Sequence, residues 1–468
     1  MMYQMLSIDN IVGLSEIDEI RMLKLLDVYN YHLAKNTTKN RYYEGHVKLA
    51  EVNLGIALPD GMQKLEVGCA WGAKTVDVLA GLSMFDGFVG SSGNDIDDVS
   101  QIVDGNRLVS EYMKACRDEL KYGCTFATLS ADPKIRCRIR FHSPESAAAV
   151  WSGEKGRLDY GFAIIDTIPS DNITVWEPTL INLYTDEAIV VLHRSDYKWQ
   201  AEYHPHRMGR PLMEPLIWDA TSSKPFGRSR IKFSIREMIK GYVRTMANAA
   251  IALEFSTAPQ KYLLGITDEQ FDVIVNQKFK QYVGSILAAT TNPETGEKPT
   301  FGQFQQGSLS AHMEELRALA TQFSAATGLT VVDTGVVNDA NPTSSDAILA
   351  QSKTLIGLAE QLNAGNGDAL RTIMMMAQAI ASGTTMEGLT PDQRDVVAHF
   401  RNPAMPSIAV TADAAIKIAS ARPDFAGTDV FMEMVGFDQA DIRRIKAQEQ
   451  RGRGARMLEM IEEAGGTE

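Results

Sequence analysis

His204 and His206 stand two residues apart, with Asp219 downstream. Two imidazoles and a carboxylate are the donor types of a divalent metal site, and a metal-activated water there would serve a hydrolase. The pair lies in a proline-rich stretch, 204–230, and no further ligands converge on it in sequence. Structural histidines are therefore the preferred reading. A metal-dependent hydrolase or nuclease using the His204/His206 region is the alternative. Cys69, Cys116, Cys124 and Cys137 have no CxxC spacing, and no histidine pair accompanies them at zinc-ligand spacing. They read as buried free thiols of a protein made in a reducing cytosol. The chain has no GxxxxGK[ST] sequence to cradle nucleotide phosphates. No catalytic residue, cofactor or metal ligand is expected.

Cationic side chains offer a second kind of chemistry, contact with phosphate. Ile135–Phe141 alternates strictly, with four apolar residues on one side and Arg136, Arg138 and Arg140 on the other. That is a half-exposed strand whose arginines read as a salt-bridged or inter-subunit face rather than a DNA grip. Arg443, Arg444, Lys446, Arg451, Arg453 and Arg456 form a basic run near the C-terminus. A solvated helix face is the default there, and contact with nucleic acid is the functional reading. Met374-Met375-Met376 reads as pliable packing. The formal net charge of the 468 residues is -13, against the basic balance expected of a surface that grips DNA over a large area. The length points to two or more domains, and a 44% hydrophobic content is ordinary for a folded soluble protein. The first ten residues show no signal-peptide pattern, and no run approaches the ~18 apolar residues of a membrane span.

The elements that would position these groups follow from periodicity. Residues 1–60 read as mostly helical, with Ile17, Ile20, Met22, Leu23, Leu25 and Leu26 as a broad apolar face. A helix with Val76, Leu79 and Leu82 on one face leads through Gly87-Phe88 into a strand, and another helix spans about 105–121. Strands are expected near 160–165, 179–184 and 187–193, in a mainly antiparallel sheet. Residues 204–230 read as a connection. From Ile231 a helix carries Ile235, Met238, Ile239, Tyr242, Met246, Ala250 and Leu253 as a stripe, and ends before Pro259. A small α/β insert follows: a short strand at 261–265, a helix opened by a Thr267/Gln270 capping box, and a hairpin of 285–290 with 300–304. A return helix spans about 308–327, capped by Gly328. Thr330–Val337 reads as strand-like and leads to the polar loop 338–342. Thr343 or Ser344 caps a long helix, interrupted at Gly365 and Gly367, where a bend is expected. A strand at 395–401 and helices at 411–421 and 438–463 close the chain.

Several short stretches, in this order, resemble the siphophage portal proteins of tailed bacteriophages, particularly those of actinobacterial phages. They include Tyr42-Tyr43-Glu44-Gly45, Trp71 with Val76-Asp77, Gly87-Phe88, Leu120 with Tyr122-Gly123, and Gly209-Arg210-Pro211. Gly227-Arg228-Ser229-Arg230-Ile231, Ser256-Thr257-Ala258-Pro259, Gly302-Gln303-Phe304 and Thr327-Gly328-Leu329 continue the series. Asn341–Ile348 carries the strongest likeness, and Asn402-Pro403 and Ala412-Asp413-Ala414 end it.

The resemblance implies an α+β portal fold. Residues 1–230 would be the N-terminal part of a wing made of helices and a mainly antiparallel sheet. Residues 231–257 and 308–328 would be the helical stem, and 258–307 a small α/β clip. Residues 329–407 would hold a tunnel loop, a long kinked helix and a returning wing strand, with 408–468 as a helical crown. Asn338, Asp339, Asn341 and Thr343 would line a channel, and Arg443, Arg444, Lys446, Arg451 and Arg453 would be the crown residues able to meet DNA. The resemblance also implies a homo-oligomeric ring, a dodecamer, at a capsid vertex of the virion, assembled in host cytoplasm. Its implied partners are the terminase large subunit, a head–tail adaptor, the major capsid and scaffolding proteins, and double-stranded DNA in the channel; no membrane is implied.

Overall fold

The computed structural model describes residues 5–8, 10–48, 66–90, 97–170, 176–195, 198–257, 261–264, 296, 300–303, 309–336, 345–404, 408–425 and 427–437, and 441–452 apart from 443, 447 and 450. The chain opens with strand β1 (Ile11–Val12) and helix α1 (Glu16–Tyr43). Ser15 caps α1 by accepting the Asp18 amide, and Glu16, Asp18 and Glu19 place negative charge at its positive end. Met22, Leu25, Leu26, Tyr29 and Leu33 are buried, whereas Ile17, Ile20 and Leu23 are exposed. The buried stripe is thus narrower than the broad face expected from the sequence, because α1 lies against one sheet and only one sector of a helix can do so.

Strands β2 (His46–Lys48) and β3 (Glu66–Gly68), helix α2 (Trp71–Leu82), strand β4 (Phe85–Val89) and helices α3 (Asp97–Asn106) and α4 (Leu108–Tyr122) follow. The next strands are β5 (Cys124–Asp132), β6 (Arg136–His142), β7 (Ala147–Ser152), β8 (Arg157–Pro169), β9 (Trp176–Tyr184), β10 (Ala188–Ser195), β11 (Lys198–Pro205) and β12 (Met213–Ile217). They form a six-stranded sheet, β1-β11-β10-β9-β8-β7, and a three-stranded sheet, β12-β5-β6. All pairs in both are antiparallel except β1 with β11. The inner face of the larger sheet supplies Phe162, Ile164, Ile181, Leu183, Val190 and Leu192 to a core shared with α1.

Strands β11 and β12 were not expected. Pro215 lies inside β12, which is an edge strand, the position where a missing amide donor does least harm. Gly227 closes the turn that follows: its φ is +65°, and a Cβ there would sit 1.9 Å from the Trp218 carbonyl oxygen. On β6, Cys137 and Ile139 are buried, and Arg138 forks onto Asp132 through Nε at 2.8 Å and Nη2 at 2.6 Å. All four cysteines are buried and outside any disulfide.

Helix α5 (Phe233–Thr257) begins the second half, followed by strands β13 (Lys261–Leu264) and β14 (Thr300–Gln303), which pair with each other. The expected partner of 300–304, residues 285–290, and the helix opened by Thr267 lie outside the described residues. Helix α6 (Ser310–Thr327) ends at Gly328, whose φ of +76° completes the expected cap. Of the stretch Thr330–Val337, the described residues Thr330–Val336 are not a strand, and Val337 lies outside the described residues. Val332–Thr334 forms one 3₁₀ turn, because the Asp333 carboxylate accepts both the amide and the hydroxyl of Thr330 and curls the backbone.

Helix α7 (Ser345–Ala381) runs without interruption across Gly365 and Gly367. Each glycine costs about 1 kcal/mol relative to alanine. Leu362, Leu370 and Ile373 bury fully on either side, and their packing outweighs that cost. Helix α8 (Pro391–Arg394), strand β15 (Val397–Phe400) and helices α9 (Ile408–Ala421) and α10 (Asp429–Val435) complete the named elements. The strand expected at 395–401 is β15, and it pairs with β4. Described residues between 441 and 452 are helical, within the expected 438–463 helix.

Candidate functional site

Helices α5 and α6 form an antiparallel pair. Arg244 faces Glu315 at 3.9 Å, and Gly241 lies opposite Leu319. Ile235, Ile239, Val243 and Ala247 bury along α5, and Ala320 and Phe323 along α6, all in one core. Met238 and Tyr242 are partly buried at the edge of this seam, and Leu253 is exposed. The stripe is therefore displaced from the one read in the sequence: packing selects the i, i+4, i+8, i+12 row that meets α6.

Two side chains bind the helix pair to the N-terminal body. Trp71, at the start of α2, stacks on Phe323 with ring centroids 4.5 Å apart and tilts against Tyr242 at 4.8 Å. Its Nε1–H donates to the Thr334 carbonyl at 3.0 Å, fixing the turn that leads to the 338–342 loop. Arg230 is 7% exposed. Its Nε donates to the Thr75 carbonyl and its Nη2 to the Thr327 carbonyl, both at 2.7 Å. Thr327 is the last residue of α6, where helix carbonyls lack in-helix donors and the dipole favours a cation. Burial pulls the Arg230 guanidinium down to about 10, still charged at neutral pH. Both residues belong to the family-like stretches noted in the sequence, but their joint role at one junction was not foreseen.

The four loop residues Asn338, Asp339, Asn341 and Thr343 lie outside the described residues. Their flanks are described: Trp71 holds Thr334 upstream, and α7 begins at Ser345 downstream. Of the basic C-terminal run, Arg443, Arg453 and Arg456 also lie outside them. Arg444 pairs with Asp441 at 3.3 Å, Lys446 with Asp429 at 2.6 Å, and Arg451 is exposed.

The histidine region does not converge on a metal site. His204 faces Glu202 at 3.5 Å, the His206 ring accepts the Met208 amide at 3.4 Å, and Asp219 is engaged by Lys232 at 2.9 Å. Among the described residues, no group of three or more His, Cys, Asp or Glu side chains could hold a metal ion. His204 and His206 instead line a cleft of about 740 Å³ between the large sheet and the C-terminal end of α7. Met374 and Met376 are fully buried, as core packing.

A buried polar cluster escaped sequence reading. Glu119 on α4 and Asn366 on α7 are both fully buried and hydrogen-bonded to each other. The signal was present: Glu119 falls on the same face as Tyr112, Ala115 and Cys116, and Asn366 on the row of Leu362 and Leu370.

A helix pair bracketing an insert, a mixed helix-and-sheet body and a long helix beneath it define an α+β portal fold. The sequence profile of the phage portal proteins, described as SPP1 Gp6-like, matches residues 23–454, and the chain belongs to this family. Among solved structures, a chain from the virion of the native gene transfer agent (GTA) particle is similar, with 12% identity and a TM-score of 0.44 over 75% of this chain and 86% of that one. A chain from the neck of the native GTA particle, computed with C12 symmetry, gives 11% identity and a TM-score of 0.45 over 78% and 89%. One from the neck of the empty particle, computed with C6 symmetry, gives 11% and 0.45 over 80% and 89%. No curated protein matches the chain. Among the described residues, no helix is long and apolar enough to cross a membrane.

Proposed function

We propose that this portal-family chain forms a closed ring, a dodecamer, at one capsid vertex of a virion, and that double-stranded DNA passes through the ring during packaging and ejection. The observation that carries this is the family match over residues 23–454. In this reading 1–230 and part of 329–407 are the wing, 231–257 and 308–328 the stem, 258–307 the clip and 408–468 the crown. The antiparallel α5–α6 pair supports the stem assignment, because one helix leads into the insert and the other returns from it. The clip docks the terminase large subunit during packaging and a head–tail adaptor afterwards. The wing and crown meet major capsid and scaffolding proteins during assembly in the host cytoplasm.

The role is structural, not enzymatic; nucleotide hydrolysis belongs to the motor. Duplex DNA carries one charge per ~1.7 Å of axis, so many lysine contacts in a channel would stall it. Asn338, Asp339, Asn341 and Thr343 give the channel a polar, weakly charged lining. Arg443, Arg444, Lys446, Arg451 and Arg453 lie where packaged DNA would meet the crown. A head-to-tail interface repeated around an axis closes the ring without self-complementary patches.

Negative-stain electron microscopy and mass photometry of purified protein test the ring. Rings with a central hole are expected, whereas a 51.5 kDa monomer at every concentration and salt overturns it. Replacing 258–307 with a short Gly/Ser linker should leave the wing folded and abolish terminase and adaptor binding; undiminished binding refutes the clip assignment. Asn338→Lys with Asn341→Lys should slow DNA passage most at low salt with rings intact. Packaging at normal speed removes the loop from the channel wall.

A further inference from the structure

The contact between α4 and α7 is built around a buried carboxyl group that, among the described residues, has no cation as a hydrogen-bond or ion-pair partner. Asn366 Nδ2 donates to Glu119 Oε2 at 2.7 Å and to Tyr112 Oη at 2.9 Å, and Tyr112 Oη shares a hydrogen bond with Ser83 Oγ at 2.7 Å. Glu119, Asn366, Tyr112 and Ser83 are all fully buried. Both amide hydrogens of Asn366 are thereby used. Glu119 Oε1 and Asn366 Oδ1 are left buried without a donor. An ionised carboxylate only accepts hydrogen bonds, so it cannot supply that donor; a carboxylic acid can.

Among the described residues, none of the groups that face the carboxyl directly is a cation; Lys39 of α1 faces Cys124 behind them, its ammonium pulled down to about 8 by burial. Tyr112 and Cys116 face the group from α4, Ser83 from the end of α2, Cys124 from β5 and Asn366 from α7. Phe85 of β4 and Phe400 of β15 close over the Tyr112 ring at 5.5 and 5.7 Å. Burial pushes the Tyr112 hydroxyl and the Cys116 thiol well up and the Cys124 thiol to about 12, so each is neutral. Arg117, also on α4, is half exposed and faces Asp77 at 3.5 Å.

Asn366 is the middle residue of Gly365-Asn366-Gly367. Neither glycine is sterically required. A Cβ at Gly365 would meet nothing within 4 Å, a Cβ at Gly367 would meet only the Phe400 ring at 3.7 Å, and neither has a positive φ. Both weaken the helix relative to alanine on either side of a fully buried polar anchor.

We propose that Glu119 and Asn366 form a proton-held latch: the neutral carboxyl pins the midpoint of α7 to α4, and loss of its proton frees the helix to bend at Gly365 and Gly367. Burial raises the Glu119 carboxyl from 4.5 to about 8, which keeps it protonated at neutral pH. Coupling runs both ways. A bend that lets water reach Glu119 returns the carboxyl to its ordinary acidity, so each opening at neutral pH releases a proton. In the portal reading, α7 supports the channel loop, and the latch would set how readily that loop moves. The latch itself rests only on packing within one chain, so it and the ring can fail separately.

Hydrogen exchange of the purified full-length protein, corrected for the intrinsic effect of pH, reads the latch directly. From about pH 7 to about pH 9, protection of peptides covering 355–375 should fall about tenfold, following the neutral fraction of a group titrating near 8. Glu119→Gln keeps the shape and supplies a permanent amide donor, and should hold protection constant over that range. Gly365→Ala with Gly367→Ala leaves Glu119 intact and should raise protection at both pH values. An unchanged wild-type profile overturns the proposal, as does a Glu119→Gln profile that falls like wild type. If Glu119→Gln does not fold, a glycine-to-alanine pair that leaves 355–375 exchanging like wild type at both pH values overturns it.

Discussion

Arg230 allows the junction between the helix pair and the body to be tested quantitatively. Lowering its guanidinium from 12.5 to about 10 corresponds to about 3 kcal/mol for holding the charge out of water. This cost is constant below about pH 10, since a base with a depressed folded pKa has already lost that stability once pH falls through the folded value. Against it stand two charge-assisted hydrogen bonds, to Thr75 and Thr327, each worth about 1.5–3 kcal/mol. The two sides nearly cancel, so the ranking of variants is informative. Arg230→Met removes the charge cost and fills most of the volume but leaves the Thr327 carbonyl without a donor, so it should lose about 1–3 kcal/mol. Arg230→Lys keeps the charge but can serve only one carbonyl, leaving the other buried and unpaired at about 1–3 kcal/mol. Arg230→Ala leaves a cavity and an orphaned Thr327 carbonyl at a helix end, and should lose about 3–5 kcal/mol. Urea denaturation followed by tryptophan fluorescence gives the order, and hydrogen exchange across 310–327 shows whether the loss is local to α6. A Met variant as damaged as Ala, or an Ala variant within about 1 kcal/mol of wild type, would refute the account of Arg230 as a near-balanced staple.

Three further outcomes are expected. Trp71→Ala should cost about 3–5 kcal/mol by emptying the seat against Phe323 and Tyr242, while Trp71→Phe should lose only about 1–2 kcal/mol with the Thr334 bond; thermal unfolding separates them. His142 is pushed from 6.5 down to about 4 by burial, so stability should be full above pH 6.5 and fall towards about pH 4 by at most ~3 kcal/mol; acid titration of His142→Gln should show that part of the slope removed. Thiol reagents should label Cys69, Cys124 and Cys137 only after unfolding, because each is buried with its thiol pushed up to about 12; rapid labelling of the native protein would contradict this.

Helices and their ends were largely legible in the chain itself. The period of Ile235 and Ile239, the glycine after Thr327 and the alternation in Ile135–Phe141 act over a few residues, and local sterics and patterning suffice to set them. The family-like stretches are local in the same sense, and they point to the family whose profile matches residues 23–454. Partners distant in sequence were not legible. Arg230 meets Thr327 across 97 residues, Trp71 meets Thr334 across 263, and Glu119 meets Asn366 across 247. β14 pairs with β13 from the far side of the insert. Local rules also failed where packing overrode them. Two glycines predicted a broken helix, yet α7 is continuous because its flanking apolar residues are buried. Ile17, Ile20 and Leu23 predicted a buried face, yet α1 turns them outward because the sheet accepts only one row. The sequence by itself determined the family, the helices and the apolar rows. Only the tertiary structure decided which row is buried, which distant groups share a proton or a charge, and where the body grips the helix pair, because burial free energy depends on neighbours that chain order does not specify.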